Sequence, residues 1–266
     1  MRRERAAIGN VPIAAALVVV LLLVSACASG PQRSAGRDGM ETSAIAQRSI
    51  NAAQALLEAG KLEEALAETN AALDADPRSA EVHLAQGAVL QALGRGVEAG
   101  EHFERALEIA PGSGRVLNAH GAWLCRSGRV DEALAAFSKA TMDERYREPE
   151  QALVNAGSCA AEAGRNEVAE LNFRAALGLQ PALAQALGGM ARLEHQRGNA
   201  LSARAFLQRR EALGPLSAAD LALGVEIETA AGDARAAARY RGQLATMARE
   251  ADAAASSTIE SGSSRQ

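Results

Sequence analysis

The side chains of this 266-residue chain best equipped for chemistry are three thiols, Cys27, Cys125 and Cys159, and four imidazoles, His83, His102, His120 and His195. A thiol can serve as nucleophile, metal ligand or half of a disulfide, and an imidazole as general base or ligand. Their spacing argues against most of these uses. Each histidine falls in a different helical segment, none pairs with another at metal-ligand spacing, and no Cys-x-x-Cys accompanies them. Carboxylates recur at the spacing of solvated helix faces, as in Lys61-Leu62-Glu63-Glu64, and no acid/base pair stands out. No glycine-rich phosphate loop follows a strand. No catalytic residue, metal, cofactor or small-molecule substrate is therefore expected.

Cys27 is set apart by what precedes it. Arg2, Arg3 and Arg5 lead into an apolar run from Val11 to Val24, broken only by Pro12, and then Val24-Ser25-Ala26-Cys27. A charged start, a short apolar stretch and a small-residue cleavage site make an export signal over 1–26. The run is shorter than the roughly 20 residues of a membrane span. Its last four residues resemble the bacterial lipobox. That resemblance implies cleavage before Cys27 and diacylglycerol on its thiol, with a further acyl chain on the new amino group. Two or more chains give stable membrane attachment. Ala28, where inner-membrane retention would call for Asp, implies an outer-membrane destination. The competing reading is an uncleaved N-terminal anchor with a chance cysteine.

Of the 28 Lys and Arg, three precede Cys27, and of the 32 Asp and Glu, one does, so the mature chain would carry 25 against 31, a net charge of about −6. A nucleic-acid partner would call for a basic face, and an aromatic content of 3% offers few platforms for base stacking. Alanine dominates and strand formers are sparse beyond the signal, so the chain reads as helical throughout.

The elements that must position these side chains repeat. Gly60, Gly94, Gly128, Gly164, Gly198 and Gly232 share a local context at spacings of 34, 34, 36, 34 and 34. An alanine follows each by five residues: Ala65, Ala99, Ala133, Ala169, Ala203 and Ala237. Ala72, Ala106, Ala140 and Ala176 follow the first four by twelve, and Pro77, Pro111, Pro181 and Pro215 follow four of the six by seventeen. The pattern predicts antiparallel helix pairs. Glycine closes the first helix in the left-handed conformation a C-terminal cap favours, alanines let helices approach, and proline ends the second helix.

This period and pattern resemble the tetratricopeptide repeat, best in Gly87, Leu90, Gly94, Ala99, Phe103, Ala106 and Pro111. The third unit matches through Gly121, Leu124, Gly128, Ala133, Phe137 and Ala140, the fourth through Gly157, Gly164, Ala169, Phe173, Ala176 and Pro181. Elsewhere Thr69, Leu207 and Arg241 stand at the aromatic position of the second helix, and Arg210 at an alanine position. The resemblance implies an all-α, right-handed superhelical solenoid over 43–251, with units 46–79, 80–113, 114–149, 150–183, 184–217 and 218–251. A two-residue insertion falls in 143–150, a charged stretch that reads as a loop extension or a local contact site. Residues 27–42 read as a flexible tether and 252–266 as a disordered polar tail. Cys125 and Cys159 lie on the first helices of units three and four, two positions out of register. Both a pair of small core residues and a disulfide fit that placement.

In this family the first helices line a concave surface that binds other proteins. The residues selected are Ile50, Gln54 and Leu57 in unit one, Leu84, Ala88 and Gln91 in unit two, and Asn118, Ala122 and Arg126 in unit three. Ile50, Leu57 and Leu84 would form an apolar patch, unless Ile50 and Leu57 pack under the tether. The Asn118 amide would hydrogen-bond a peptide backbone. His83 falls at a core position, His102 on an outer surface, His120 in a half-buried place, and His195 toward the groove. The Lys and Asn of a carboxylate clamp are missing from units one and two.

A lipobox followed by six such units resembles the type IV pilus biogenesis and stability lipoproteins. The likeness is greatest over VLNAHGAWLCRSGRVDEALAAFSKAT, which holds Asn118, Gly121, Leu124 and the Gly128-Arg129-x-Asp131-Glu132-Ala133 turn. It implies an outer-membrane, periplasm-facing pilotin that binds secretin subunits, attached to the membrane through Cys27. A different repeat lipoprotein, an organiser of peptidoglycan hydrolases or a tight-adherence secretion component, shares most of these residues and stays open.

Overall fold

The computed structural model describes residues 42–263. The export signal expected over 1–26, Cys27 and the tether expected after it, up to residue 41, lie outside the described residues. Within them the chain forms twelve helices and no strand: α1 (Ala44–Glu58), α2 (Leu62–Ala75), α3 (Ala80–Ala92), α4 (Gly96–Ile109), α5 (Gly114–Arg126), α6 (Val130–Ala140), α7 (Pro149–Glu162), α8 (Asn166–Leu179), α9 (Ala184–Gln196), α10 (Ala200–Glu211), α11 (Ala218–Ala230) and α12 (Ala234–Ser263). They pair as six antiparallel hairpins, each packed on the next, the all-α solenoid the repeat predicts.

Local chemistry explains the hairpins. Gly94 has φ +76°, and the other five repeat glycines lie between +73° and +78°. Behind Gly94 the Arg95 amide reaches back to Leu90 O and the Gly94 amide to Gln91 O, which satisfies carbonyls the helix end would leave bare. The same pair of bonds closes the first helix of every unit. Ser43, Ser113 and Ser217 cap helix N-termini, the last in a reciprocal box with Asp220.

Packing follows from the small residues. All six alanines five residues past the repeat glycine are fully buried. The second-helix aromatics lie flat on first-helix glycines: a Cβ on Gly87 would meet the Phe103 ring at 3.0 Å, on Gly121 the Phe137 ring at 2.9 Å, and on Gly157 the Phe173 ring at 2.7 Å. Unit six departs from expectation. Arg241 does not stand in for the aromatic; Tyr240, one residue earlier and 1% exposed, fills the place against Gly224.

Two further features differ from the sequence reading. The tail expected to be irregular from Asp252 continues α12 to Ser263, because Ala251 and Ala253 to Ala255 are strong helix formers and no proline intervenes. The insertion is an ordered loop. Asp143 accepts from the Gly114 amide at 2.8 Å, as Asp76 does from Ser43 at 2.9 Å. Tyr146 packs against Gly114, where a Cβ would lie 2.6 Å from the tyrosine's own.

Candidate partner-binding groove

The first helices α1, α3, α5, α7, α9 and α11 present the face on which a partner would sit, and in units two and three its polar residues are largely joined to one another or to unit four. Arg115 pairs with Glu81 at 2.7 Å. Burial pushes the Glu81 carboxyl up, with the Arg115 guanidinium pulling it back. Arg126 donates to Gln91 Oε1 at 2.6 Å. Asn155 donates to Asn118 Oδ1 at 2.9 Å, and Asn118 Nδ2 to the Tyr146 hydroxyl at 3.0 Å. Burial is the main reason the Tyr146 phenol is pushed up to about 12. The Arg115, Arg126 and Asn155 bonds join adjacent units, and the Asn118–Tyr146 bond ties unit three to its own insertion loop.

The apolar patch expected near the N-terminal end is not there. Ile50 is 7% exposed and packs with Ala46, Ala72 and Val82. Leu84 is also 7% exposed and packs with Leu90, Phe103 and Val116. Leu57 is half-buried against Ala53, Ala65 and Val89. Each serves the joint between neighbouring units. Gln54 and Ala88 are exposed, as expected of groove residues, and Gln54 hydrogen-bonds Glu58 at 3.4 Å. Ala122 is half-buried beside the cysteines. Asn118 is already engaged by Tyr146 and Asn155, so it is not the free amide the sequence suggests.

Cys125 and Cys159 form a disulfide between α5 and α7, with a Cα–Cα separation of 5.9 Å. Beyond it, between α7, α9 and α11, the face opens into a depression of ≈ 580 Å³ whose lining includes Ser158, Gln185, Gly188, Arg192 and Gln196.

Sequence comparison matches the tetratricopeptide repeat family over residues 50–114 and 124–184. No curated protein matches at a significant level. Solved structures do. PilW, described as a widely conserved type IV pilus biogenesis factor, aligns with a TM-score of 0.69 and 31% identity over 76% of this chain and 93% of its own. This chain belongs to the PilW/PilF family of tetratricopeptide-repeat proteins. Pseudomonas aeruginosa PilF aligns with a TM-score of 0.65 and 27% identity, over 76% of this chain and 91% of PilF. A tetratricopeptide repeat protein of Parabacteroides merdae, at 19% identity and a TM-score of 0.62, shares the fold alone, over 76% of this chain and 78% of its own.

Two features of this family member escaped the sequence reading. The first is a histidine pair. His83 and His102 do not lie on separate faces; their Nδ1 atoms are 3.0 Å apart. His83 Nε2 lies 3.2 Å from the Pro77 carbonyl, which only accepts, so that nitrogen donates. His83 Nδ1 then accepts from His102 Nδ1–H. Burial holds both imidazoles below the usual histidine range. No third His, Cys, Asp or Glu joins them as a metal-ligand group among the described residues. The second is the glycine pair Gly188-Gly189 of α9: a Cβ on Gly189 would lie 2.5 Å from the Phe173 ring, and one on Gly188 would lie 3.3 Å from the Asp220 carboxylate. His120 is half-buried, its ring 5.5 Å from that of Trp123, and His195 Nε2 lies 3.5 Å from Glu226 on the next unit. Among the described residues no helix is long and apolar enough to cross a membrane.

Proposed function

We propose that this protein is a lipid-anchored outer-membrane scaffold that binds secretin subunits and promotes their assembly during type IV pilus biogenesis, without catalysing a reaction. The observation that carries this reading is the match to PilW over nearly the whole of that protein, together with an N-terminus that ends in a lipobox at Cys27. The solenoid suits the task. Its units are tied by buried apolar joints, by a disulfide and by cross-unit polar pairs, so the concave face is a rigid, extended surface on which a flexible segment can order at low cost to the scaffold. Attachment through acyl chains on Cys27 would hold that surface at the inner leaflet of the outer membrane, where secretin subunits must insert.

A deletion strain tests the reading. Loss of the heat-stable secretin multimer, with monomer still made and recovery on supplying the gene, is expected. Normal multimers and pili in the deletion strain would refute it. Cys27→Ser should give an uncleaved, unacylated chain; palmitate incorporation into that variant would overturn the anchoring part.

A further inference from the structure

The fifth residues of the six units, all on first helices, are Ile50, Leu84, Asn118, Val154, Gly188 and Ala222. In units one, two and four the side chain fills the joint between units, at 7, 7 and 4% exposure. Unit five has glycine instead, and there the depression opens. Its lining includes Gly188, Gly189 and Phe173, whose ring lies against Gly189.

Its walls differ from the rest of the concave face in a second way. Ser158, Glu162, Gln185, Arg192 and Gln196 make no hydrogen bond or ion pair among the described residues. In units two and three the corresponding polar groups Glu81, Gln91, Arg115, Asn118 and Arg126 all have partners. On the rim, Arg210 is engaged with Asp220 at 3.4 Å and with the Pro215 carbonyl at 3.1 Å. Arg192 is exposed, permanently charged and unpaired. It stands one helical turn beyond Gly188, a rise of about 6 Å. In an extended chain, side chains on one face are two residues, about 6.6–6.8 Å, apart.

We propose that this depression binds an extended segment of a partner protein in which an apolar residue and an acidic residue are separated by one position. The apolar side chain occupies the space above Gly188 that other units fill themselves. The carboxylate pairs with Arg192. The Gln185 and Gln196 amides, each offering donor and acceptor, take the segment's backbone. The inference rests on the reading of the protein as a partner-binding scaffold, but not on secretin being the partner.

The test is selection of phage-displayed random heptapeptides on the purified full chain. The selected consensus is then synthesised with a fluorophore and titrated by anisotropy. An apolar and an acidic residue one position apart should be enriched. Arg192→Ala should weaken the consensus peptide at least tenfold, and selection on Arg192→Glu should replace the acid with Lys or Arg. Gly188→Ala should weaken binding; its Cβ would meet the Asp220 carboxylate at 3.3 Å, so Asp220 must shift by a few tenths of an ångström, and the melting temperature is read alongside to show that the fold is kept. Gly188→Leu should abolish binding. No enrichment, a consensus without an acid, or affinity unchanged in both Arg192→Glu and Gly188→Leu would overturn the proposal. Failure of the peptide selection, with secretin capture by the unaltered chain intact, would overturn it alone and leave the scaffold function standing. Failure of the unaltered chain to capture secretin, with peptide binding intact, would do the reverse.

Discussion

Replacing both Cys125 and Cys159 with alanine removes the covalent tie between α5 and α7 and, besides the tie, only the two sulfur atoms from the Leu124–Phe137 cluster in which they lie. The bridge spans a sequence separation of 34. On the chain-entropy account a loop of that length restricts the unfolded chain by about 3.8 kcal/mol at 25 °C. For a folded region of roughly 200 residues each kcal/mol moves the melting temperature by about 2–4 °C, so a fall of about 8–15 °C is expected. Because solenoid stability is a sum of unit and nearest-neighbour terms, the loss should concentrate where units three and four meet. Calorimetric melts of the oxidised chain, the dithiothreitol-reduced chain and the double variant measure the first claim, and amide exchange resolved by helix measures the second. Reductant should not move the variant. A difference under about 2 °C, or protection lost evenly over all six units, would refute the argument.

Other perturbations probe the rest of the fold. Leu84→Glu places a carboxylate in the Leu90–Phe103–Val116 cluster and should cost more than about 3 kcal/mol; an unchanged chemical-denaturation midpoint would return Leu84 to the groove surface. Gly94→Ala forces a Cβ into the left-handed region at a cost of about 1–2 kcal/mol, whereas Gly96→Ala, at the first position of α4 with open space around it, should be neutral or stabilise by up to about 1 kcal/mol; equal denaturation midpoints for the two would contradict the capping account. The His83–His102 pair sets a pH dependence. Both folded-state values are depressed below 6.5 by burial, with Arg105 adding to this at His83 and Glu98 and Glu101 opposing it at His102. The unfolded chain therefore binds more protons on acidification, and stability is full above about pH 6.5 and falls below it. The His83→Asn/His102→Asn variant should flatten that profile in thermal melts, and an unchanged profile would refute the assignment.

What the sequence made legible is what short-range rules dictate. The left-handed glycines, close-packed alanines and flat aromatics are fixed by residues within one unit, so a period of 34 exposes them. Even the misassigned Arg241 carried its correction: Gly224 and Tyr240 are 16 residues apart, like Gly87 and Phe103, so this contacting pair has moved together by one residue while Gly232 and Ala237 keep the register. The groove was harder to read, because the same helix position is core or surface according to what the next unit brings. Leu84 is covered because Val116 reaches it, and Asn118 is occupied because the insertion delivers Tyr146. Gly188 lines a depression because its own side chain is missing. The meeting of His83 with His102, from consecutive helices, and of two cysteines out of register depends on how helices lie across one another, which no single-helix position reports.

The central claim is that this scaffold holds a secretin. The full chain, purified in detergent and immobilised, should capture secretin subunits from an outer-membrane extract as the dominant partner. Capture of peptidoglycan hydrolases with no secretin would contradict the account of function and leave the solenoid as described.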